Sequence, residues 1–374
     1  MAYRRTLLIL QPTPFCNIDC SYCYLPSRMS TKRMDLKVVK KIAEEVFSSS
    51  FISKPVDFLW HLGEPLALPI SFYEDAFTLI KEINKEYFVE YSLTFQTNAM
   101  LLNESWIDLI KRHQVNIGVS IDGPAFLHDK KRVDRKNRGT HAQVMNGVRL
   151  LQANGIPFGV IAVITNDSLN YANEICDFFL DNNIYNIGFN IDEMDGINKS
   201  STFRDVEAGL YKSFIKTLFD RSVASKGLFK IREFWVNIRP FTVDIQNPFN
   251  TTNNPFAILN FDCHGNYSTF CPELIGVEDL QYNNFIMGNI VTDGLAAIRS
   301  SPLFLRMHEE IQVGVNSCRD NCDYWSFCGG GAPSNKYFEN GSFSSTETIA
   351  CKYQKQIVVD VLAEHFEKQF AIEV

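Results

Sequence analysis

Three cysteines within one short stretch constrain this chain more than any other feature. Cys16, Cys20 and Cys23 have the spacing C-x3-C-x2-C. They follow an apolar run, Thr6–Leu10, and the aromatic Tyr22 stands directly before the third cysteine. Iron–sulfur cubanes normally take four cysteines, so three thiolates on one loop predict a [4Fe-4S] cluster with one open iron, where a substrate or cofactor can bind. A zinc loop and three unrelated buried thiols are the alternatives.

The overall composition argues against several classes of protein. The net charge of −7 argues against a nucleic-acid-binding surface, for which a basic footprint is expected. No apolar run approaches the roughly 18 residues that a membrane span needs, and the start shows no small-residue cleavage site, so we expect neither a membrane segment nor a signal peptide. The ten cysteines are spaced like metal sites rather than a disulfide framework, which favours the reducing cytoplasm.

An alternation of strands and helices dominates residues 6–190. The predicted strands are Thr6–Gln11, Val56–His61, Tyr91–Thr97, Asn116–Ile121, Pro157–Ile164 and Ile187–Asn190. Helical patterns lie near residues 35–49, 71–86, 103–113, 140–154, 169–182 and 204–226. Six strands with crossover helices require a parallel sheet with right-handed connections. The pattern predicts an α/β fold with its active site at the carboxyl ends of the strands, as either a curved partial barrel or an open doubly wound sheet.

Three of the predicted helices begin with capping signals. Asp35 and Asn103 precede apolar helical patterns and are predicted N-caps. Ser71 with Glu74 three residues later predicts a capping box at the start of another helix.

Glycines and polar groups follow the next predicted strands. His61-Leu-Gly-Glu-Pro follows the second strand, Gln96-Thr-Asn the third and Ser120-Ile-Asp-Gly-Pro the fourth. A glycine lets backbone approach a ligand closely, and the carbonyls around Gly63 could accept hydrogen bonds from an ammonium. Arg132 comes after the fourth strand, and its guanidinium suits a carboxylate. As structural alternatives, the glycine segment is a turn and the arginine is a solvated loop charge.

A second group of cysteines stands near the end of the chain. Glycines directly after one of them let backbone come close to sulfur. The spacing predicts a metal or iron–sulfur site, with a disulfide pair or a zinc ribbon as the alternative. The cysteines are Cys263, Cys271, Cys318, Cys322, Cys328 and Cys351.

The first motif, C-x3-C-x-aromatic-C after a strand, resembles the signature of the radical S-adenosylmethionine (SAM) enzymes. The resemblance implies that Cys16, Cys20 and Cys23 hold a [4Fe-4S] cluster whose open iron is chelated by the amino and carboxylate groups of SAM. One electron then cleaves SAM to methionine and a 5′-deoxyadenosyl radical, which abstracts a hydrogen atom from the substrate, so the cofactor carries the hard chemistry. For the fold, the resemblance implies a partial (β/α)6 TIM-like barrel.

The same resemblance extends to the strand ends. Gly63-Glu-Pro resembles a Gly-Gly-Glu-Pro segment that receives the SAM amino group, with Leu62 in place of the first glycine. The segments after the third and fourth strands resemble those near the SAM ribose and carboxylate. Arg132, with Arg135 as the alternative, is implied to bind the carboxylate, and the end of the fifth strand to pack on adenine. The cofactor-binding residues implied are Gly63, Glu64, Pro65, Thr97, Asn98, Ser120, Asp122, Arg132 and Ile164.

The C-terminal cysteines resemble the SPASM extension of peptide-modifying radical SAM enzymes, which binds auxiliary iron–sulfur clusters. The sequence lacks part of the family pattern for a second auxiliary cluster, because Ala332 stands where that pattern has another ligand cysteine. Cys263 and Cys271 either hold a cluster with an open or non-cysteine ligand, such as the adjacent His264, or hold none. One complete four-cysteine auxiliary [4Fe-4S] site is implied at Cys318, Cys322, Cys328 and Cys351.

The resemblance covers nearly the whole chain and divides it into three parts. Residues 1–200 would form the radical SAM partial barrel, 201–260 a helical and loop bridge, and 261–374 a cysteine-rich SPASM/twitch-like auxiliary-cluster domain. We see no separate leader-binding domain at the N-terminus, so the leader of a peptide substrate is expected to bind the C-terminal domain or a separate protein.

Both motifs are most similar to those of the maturases that form three-residue cyclophanes in ribosomal peptides. The supporting segments begin at Leu10-Gln-Pro-Thr-Pro-Phe and at Cys328-Gly-Gly-Gly-Ala-Pro-Ser-Asn-Lys-Tyr. The resemblance implies a ribosomally made precursor peptide with a leader as the substrate, and a reductase or a flavodoxin/ferredoxin as the electron donor. After abstraction of a β-hydrogen, a bond would form between an aromatic ring carbon and the β-carbon of the residue two positions later.

The crosslinked ring must then lose a proton and an electron. An auxiliary cluster is the implied electron acceptor. Glu273 stands where related sulfatase-maturing enzymes have a catalytic Asp, so it is the predicted base, with Asp262 and His264 as rivals. Two other functions stay open: another peptide oxidation (thioether formation or sulfatase formylglycine maturation), and a non-enzymatic iron–sulfur or zinc scaffold.

Overall fold

A ten-stranded sheet organises the part of the chain that the structure describes. The computed structural model describes residues 5–372, so residues 1–4 and 373–374, at the outer ends of the first and third predicted domains, lie outside it. The spatial order of the strands is β10-β9-β8-β1-β2-β3-β4-β5-β6-β7. The strands are β1 (Thr6–Leu10), β2 (Val56–Trp60), β3 (Tyr91–Thr97), β4 (Asn116–Ser120), β5 (Phe158–Ile164), β6 (Asn186–Ile191), β7 (Lys230–Ile231), β8 (Ile258–Phe261), β9 (Asn266–Thr269) and β10 (Gly288–Asn289).

Strands β1 to β6 are parallel neighbours, which confirms the predicted α/β fold. Their registers align the carboxyl ends: Leu10 at the end of β1 pairs with Trp60 at the end of β2. The loops that follow these strands therefore meet at one edge of the sheet, where parallel α/β folds place their ligands. The cysteine loop follows β1 and lies at this edge.

Helices cross from each of these strands to the next. Among the helices of residues 5–372, none is long and apolar enough to cross a membrane. The α-helices are α1 (Leu36–Ser48), α2 (Ile70–Tyr87), α3 (Glu104–His113), α4 (Ala125–Lys131), α5 (His141–Ala153), α6 (Ala172–Asp181), α7 (Ala208–Ala224), α8 (Arg232–Ile238), α9 (Pro302–Asn321), α10 (Trp325–Cys328), α11 (Pro333–Asn340), α12 (Ile349–Cys351) and α13 (Ile357–Ile372).

Two of the three predicted helix starts are confirmed. The Asp35 side chain accepts a hydrogen bond from the backbone in the first turn of α1, and Asn103 does the same for α3. The capping box at Ser71 and Glu74 is wrong. Helix α2 begins one residue earlier, at Ile70, without a side-chain cap. Glu74 binds basic side chains in the last turn of α3 instead, because α2 and α3 pack side by side.

An aromatic cluster fixes α2 and α3 on the sheet. Tyr73 of α2 packs edge-on against Phe95 of β3, with ring centroids 4.8 Å apart, and against Trp60 of β2 at 5.3 Å. Trp106 of α3 contacts Phe95 at 5.9 Å. Edge-to-face pairs of this kind contribute about 0.5–1.5 kcal/mol each beyond the area that they bury. The ends of β2 and β3 are thereby held rigidly where the site forms.

The C-terminal part adds to the same sheet. Strand β8 pairs in parallel with β1 and antiparallel with β9, so the boundary predicted between residues 260 and 261 falls inside β8. Strands β7 to β10 were not predicted. A π-helical turn, Lys352–Gln356, joins α12 to α13, and its Tyr353 hydroxyl donates to the Val206 carbonyl at 2.6 Å.

Candidate functional site

The cysteine loop is braced by two arginines. The Arg135 guanidinium donates hydrogen bonds to the carbonyl oxygens of Cys16, at 2.8 and 3.2 Å, and of Arg28, at 2.9 Å. Arg28 donates to the Cys20 carbonyl at 3.1 Å, and both arginines pair with Asp19. An irregular loop needs such anchors because its carbonyls have no ladder partners. Arg135, the alternative ligand for the SAM carboxylate, is therefore engaged in holding the loop.

The turn after β2 packs directly against the cysteine loop at Gly63. Gly63 has a φ of +123°, and a Cβ there would lie 2.2 Å from the Thr13 oxygen. The amide of the next residue, Glu64, donates to the Phe15 carbonyl at 2.8 Å. The close approach at Gly63, predicted toward a ligand, is in the structure made to the backbone of the cysteine loop, and only glycine combines that conformation with that contact.

Glu64 joins the ends of β2 and β3 through a buried carboxylate. It is 1% exposed and accepts hydrogen bonds from the amides of Leu66 (3.0 Å) and Asn98 (2.9 Å) and from the Thr97 hydroxyl (2.6 Å). Burial raises the pKa of Glu64 to about 7, because the three donors offset only part of the lost hydration. Asn98 also donates to Asn17 of the cysteine loop at 2.7 Å. Three of the predicted SAM-binding residues thus form one network.

A buried ion pair between Asp122 and Arg132 forms the wall beside β4. Arg132 Nε and Nη2 each lie 3.0 Å from an oxygen of Asp122. Asp122 also accepts hydrogen bonds from the Tyr22 hydroxyl at 2.5 Å and the Val163 amide at 2.9 Å. Burial opposes ionisation, but the Arg132 guanidinium lowers the pKa of Asp122 below its usual range. Arg132 also lies 3.9 Å from the Cys20 sulfur, so it carries positive charge to the cysteine loop.

Two adjoining cavities open at this edge of the sheet. The smaller, of about 120 Å³, is lined by all three loop cysteines. The larger, of about 390 Å³, shares Cys20, Cys23 and Arg132 with the smaller one and continues along the ends of β5 and β6. The structure therefore brings most of the predicted SAM-binding set together beside the cysteines. Those that line the smaller cavity are Gly63, Glu64, Thr97, Asn98, Ser120 and Arg132.

Three of the nine predicted SAM-binding residues line neither cavity: Ile164, Pro65 and Asp122, which is paired with Arg132. Ile164 is in the core, whereas Ile161 and Val163 line the larger cavity, because successive side chains of a strand point to opposite faces. The structure thus places Ile161 and Val163, rather than Ile164, at the cavity, and the adenine contact stays a prediction. Pro65 begins a buried 3-10 turn, and neither cavity is lined by it.

His61 was missed as a site residue, although it begins the segment that holds Gly63. It lines both cavities, and its Nδ1 is buried without a hydrogen-bond partner. Burial lowers the pKa of His61 to about 4, so the ring is neutral at physiological pH. A buried nitrogen without a partner is rare in proteins and fits a site that holds a polar ligand.

Acidic side chains form the far wall of the larger cavity. Asp192, Glu193 and Asp195 follow β6, and Glu273 lies in the 3-10 turn after Cys271. Burial, with the negative charge of Glu193, raises the pKa of Glu273 to about 7. The predicted base thus faces the cavity. The three acids after β6 were missed, although their position at the end of a parallel strand was a signal.

The β8–β9 hairpin separates Cys263 from Cys271. Cys263 lies at the turn of the hairpin and Cys271 beyond its open end, and cluster binding by either cysteine stays a prediction. The rival bases lie at the same turn. Asp262 accepts hydrogen bonds from the amides of His264 at 2.8 Å and Asn266 at 2.9 Å. His264 is exposed, and neither rival lines the larger cavity.

The other four C-terminal cysteines lie around one small pocket. The Gly331 amide donates to the Cys328 sulfur at 3.1 Å, and the Lys336 ammonium lies 3.6 Å from the Cys318 sulfur. Such donors stabilise thiolate ligands and tune iron–sulfur sites. In residues 5–372, no three His, Cys, Asp or Glu side chains lie close enough together to hold one metal ion. Four thiolates around a cubane lie farther apart than the ligands of a single ion, because each binds a different iron. The four cysteines are Cys318, Cys322, Cys328 and Cys351.

The chain contains a radical SAM domain. Residues 10–179 match the Radical SAM superfamily. The chain is also 41% identical over 370 residues, 98% of its own length and 93% of the other, to Uncharacterized protein sll1766 of Synechocystis sp., and it belongs to the same family as that protein. A serine-type anaerobic sulfatase-maturating enzyme of Bacteroides thetaiotaomicron is 24% identical over 362 residues, covering 90% of this chain and 84% of the relative.

Two solved structures have the same fold. Native anSMEcpe with bound AdoMet and Cp18Cys peptide superposes with a TM-score of 0.77 at 19% identity, over 98% of each chain. Streptococcus suis SuiB bound to precursor peptide SuiA gives 0.64 at 15% identity, over 93% of this chain and 76% of that one. The predicted architecture, a partial barrel with a SPASM-like extension, is therefore confirmed.

Gly63→Ala is expected to disrupt the cysteine loop. The added methyl would meet the Thr13 oxygen at 2.2 Å, so the loop backbone must move. We expect clearly less iron and SAM bound per chain after anaerobic reconstitution, measured by iron analysis and equilibrium dialysis. Gly155→Ala is the control, because Gly155 also has a positive φ, +66°, but nothing lies within 4 Å; it costs about 1–2 kcal/mol of stability and keeps the iron. Wild-type iron content in Gly63→Ala would contradict this role.

Proposed function

We propose that this protein is a radical SAM enzyme that crosslinks a ribosomally made precursor peptide, joining an aromatic ring carbon to the β-carbon of a nearby residue. The observation that carries the proposal is the larger cavity, which runs from Cys20 and Cys23 to Glu273. A radical source at one end and a carboxyl with a pKa of about 7 at the other supply two of the functions that an oxidative crosslink needs.

The residues beside the cavity fit a [4Fe-4S] cluster and SAM. Burial raises the pKa of Cys16 to about 12 and of Cys20 to about 11, so these thiols become ligands only when a metal replaces their protons. Among the described residues, the smaller cavity is lined by three cysteines and no fourth, which leaves one iron for SAM. When bound, the cluster and SAM supply a 5′-deoxyadenosyl radical that abstracts a hydrogen atom.

The electron and proton balance of a crosslink assigns further roles. Joining a ring carbon to a β-carbon removes two hydrogens in total: one leaves the β-carbon as an atom, and the ring then loses a proton and an electron. Glu273 faces the cavity and can accept the proton when it is ionised. Cys318, Cys322, Cys328 and Cys351 would hold the auxiliary [4Fe-4S] cluster that accepts the electron. A flavodoxin or ferredoxin with its reductase, in the cytoplasm, would supply the first electron.

The relatives support a peptide substrate. Both solved structures contain a bound peptide, Cp18Cys in anSMEcpe and the precursor SuiA in SuiB. Sulfatase formylglycine maturation is the second candidate, favoured by the likeness to the Bacteroides enzyme. Against it, Ala332 stands in place of a cysteine, and Cys263 and Cys271 are apart. A neighbouring short reading frame with repeated aromatic-x-polar triplets favours the crosslink, and an adjacent sulfatase gene favours formylglycine.

Iron content and SAM cleavage test the cluster assignment. We expect about eight irons per reconstituted chain, for one radical and one auxiliary cluster, and 5′-deoxyadenosine on addition of dithionite and SAM. Cys16→Ala should abolish 5′-deoxyadenosine, because the radical cluster loses a ligand. Cys176→Ala is the matched control, since this thiol is buried inside α6, away from both cysteine groups. About twelve irons per chain would indicate a second auxiliary cluster as well. SAM cleavage by Cys16→Ala, or zinc bound in place of iron, would contradict the proposal.

Glu273→Gln separates the proton step from radical formation. We expect crosslinked product to fall about 10²–10⁴-fold, while 5′-deoxyadenosine still forms, with the precursor peptide from the neighbouring reading frame as substrate. In the wild type, product formation should rise with pH through about 7, because burial raises the pKa of Glu273 and only the ionised form accepts a proton. Glu278→Gln, at an exposed position, should behave as the wild type. An unchanged ratio of product to 5′-deoxyadenosine in Glu273→Gln would exclude this base.

Lys336→Met should lower the reduction potential of the auxiliary cluster. The buried ammonium lies 3.6 Å from the Cys318 sulfur and stabilises the electron added on reduction, since net charge and donors to sulfur set such potentials. A redox titration followed by electron paramagnetic resonance measures the shift. Lys336→Arg keeps the charge and should retain a potential close to that of the wild type. The same potential in Lys336→Met would contradict the assignment.

A further inference from the structure

Asp195 is a buried carboxyl group that lies against the Glu193 carboxyl and accepts no hydrogen bond from any described amide, hydroxyl, lysine or arginine. It is 1% exposed, and neither of its oxygens has a hydrogen-bond partner. Its side chain lines the larger cavity. Buried polar groups are nearly always paired, and an unpaired buried carboxylate is more costly than a neutral group. The side chain therefore faces a place that a donor or a cation can fill.

Asp195 is surrounded by other acidic side chains and, within residues 5–372, by no free cation. Glu193 and Glu273 lie in the same wall, and burial together with these carboxylates raises the pKa of Asp195 well above its usual value. Among the described residues that line the cavity, Arg132 is the only lysine or arginine, and two of its nitrogens are bound to Asp122. No lysine or arginine among these described lining residues is therefore free to pair with Glu193, Asp195 or Glu273.

Asp195 is also fixed beside the cysteine loop. The next residue, Gly196, lies so close to the Tyr24 oxygen that a Cβ would approach it to 2.2 Å. The Ile197 amide donates to the same oxygen at 3.0 Å, and Tyr24 follows Cys23 directly in the chain. A group held by Asp195 is therefore held close to the proposed radical source.

Glu193 is anchored from the opposite side. The Gln354 side chain, in the π-helical turn, donates to one Glu193 oxygen. Asp192, the remaining acid of the wall, is satisfied by the amide and hydroxyl of Thr202, at 2.9 and 2.7 Å. Asp195 and Glu193 thus differ from Asp192 in having acceptor capacity left for a ligand in the cavity.

We propose that Asp195 and Glu193, with Glu273 beside them, form a subsite for the cationic side chain of a lysine or arginine in the peptide substrate. A guanidinium or ammonium brings several donors and one positive charge. It can therefore donate hydrogen bonds to the Asp195 oxygens and neutralise part of the negative charge. This inference rests on the proposed function and narrows its substrate to peptides with a basic residue close to the reacting position.

Two other occupants are weaker. A proton shared with the neighbouring Glu193 carboxyl would neutralise Asp195 but leave its other oxygen without a donor. SAM also carries positive charge, but the residues predicted to receive its amino group, Gly63 and Glu64, line the smaller cavity, which Asp195 does not line. The subsite and the amino-group site therefore lie in different parts of the pocket.

Peptide binding to the reconstituted enzyme tests the subsite. The probes are acetylated and amidated peptides Gly-Phe-Gly-Xaa-Gly, in which Xaa is lysine, arginine, norleucine or glutamate. Affinity is measured by calorimetry with SAM present and no reductant, so that no turnover occurs. We expect the lysine or arginine peptide to bind the wild type about tenfold more tightly than the norleucine peptide, the gain of a charge-assisted hydrogen bond. Asp195→Asn should remove this preference, and Asp195→Lys should shift it to glutamate.

Asp205→Asn is the matched control, since Asp205 is an exposed aspartate in the same connection between β6 and α7; it should keep the preference. Equal affinities of the four peptides for the wild type, or a preference retained by Asp195→Asn, would overturn the subsite. So would a loss of SAM affinity of about tenfold in Asp195→Asn, because Asp195 would then contact the cofactor. Dithionite-driven 5′-deoxyadenosine formation without peptide is measured in parallel. Its absence in the wild type refutes the proposed function, whereas its presence without discrimination between peptides refutes the subsite alone.

Discussion

The buried ion pair between Asp122 and Arg132 holds the parts of this site together. Asp122 also binds Tyr22 of the cysteine loop and the Val163 amide of β5, while Arg132 reaches the Cys20 sulfur. One pair of charges thus links the loop, the end of β4 and the cavity wall at β5. Removing one member of such a pair costs about 3–5 kcal/mol, because the other charge stays buried.

The two ends of the larger cavity carry different charges. Positive charge is concentrated beside the cysteine loop, where Arg132 approaches Cys20, and it is neutralised there by Asp122. The far wall, with Glu193 and Asp195, has no corresponding cation among the described lining residues. Negative groups buried without partners weaken a fold unless something outside the chain completes them. The pocket is therefore built to be completed by what it binds, at the cysteine end by a metal cluster and at the acidic end by a substrate.

The sequence was sufficient for the features that depend on periodicity and local spacing. Strands β1 to β6 could be predicted because each is a short segment rich in apolar and β-branched residues, and a helical pattern separates it from the next. The burial of Ile164 in the core could not be predicted, because the direction of a side chain depends on the phase of the strand, which apolar composition does not reveal. Strands of two to four residues such as β7 and β10 carry too little signal, and pairing of β8 with β1 joins residues far apart in sequence. The position of Asp195 after a parallel strand was a signal, but its lack of a donor could not be predicted, since that is a property of the packed pocket.

The π-helical turn at Lys352–Gln356 has a consequence for the order of assembly. It directly follows Cys351 in the chain, and it supplies the Gln354 contact to Glu193 and the Tyr353 contact to Val206. If Cys351 is the last ligand of an auxiliary cluster, binding of that cluster also fixes the position of the π-helical turn, whose Gln354 contacts Glu193 in the acidic wall. A chain that has not yet acquired its C-terminal iron would then have an unfinished pocket that captures peptide poorly. Peptide capture would then depend on a different cluster from the one that generates the radical.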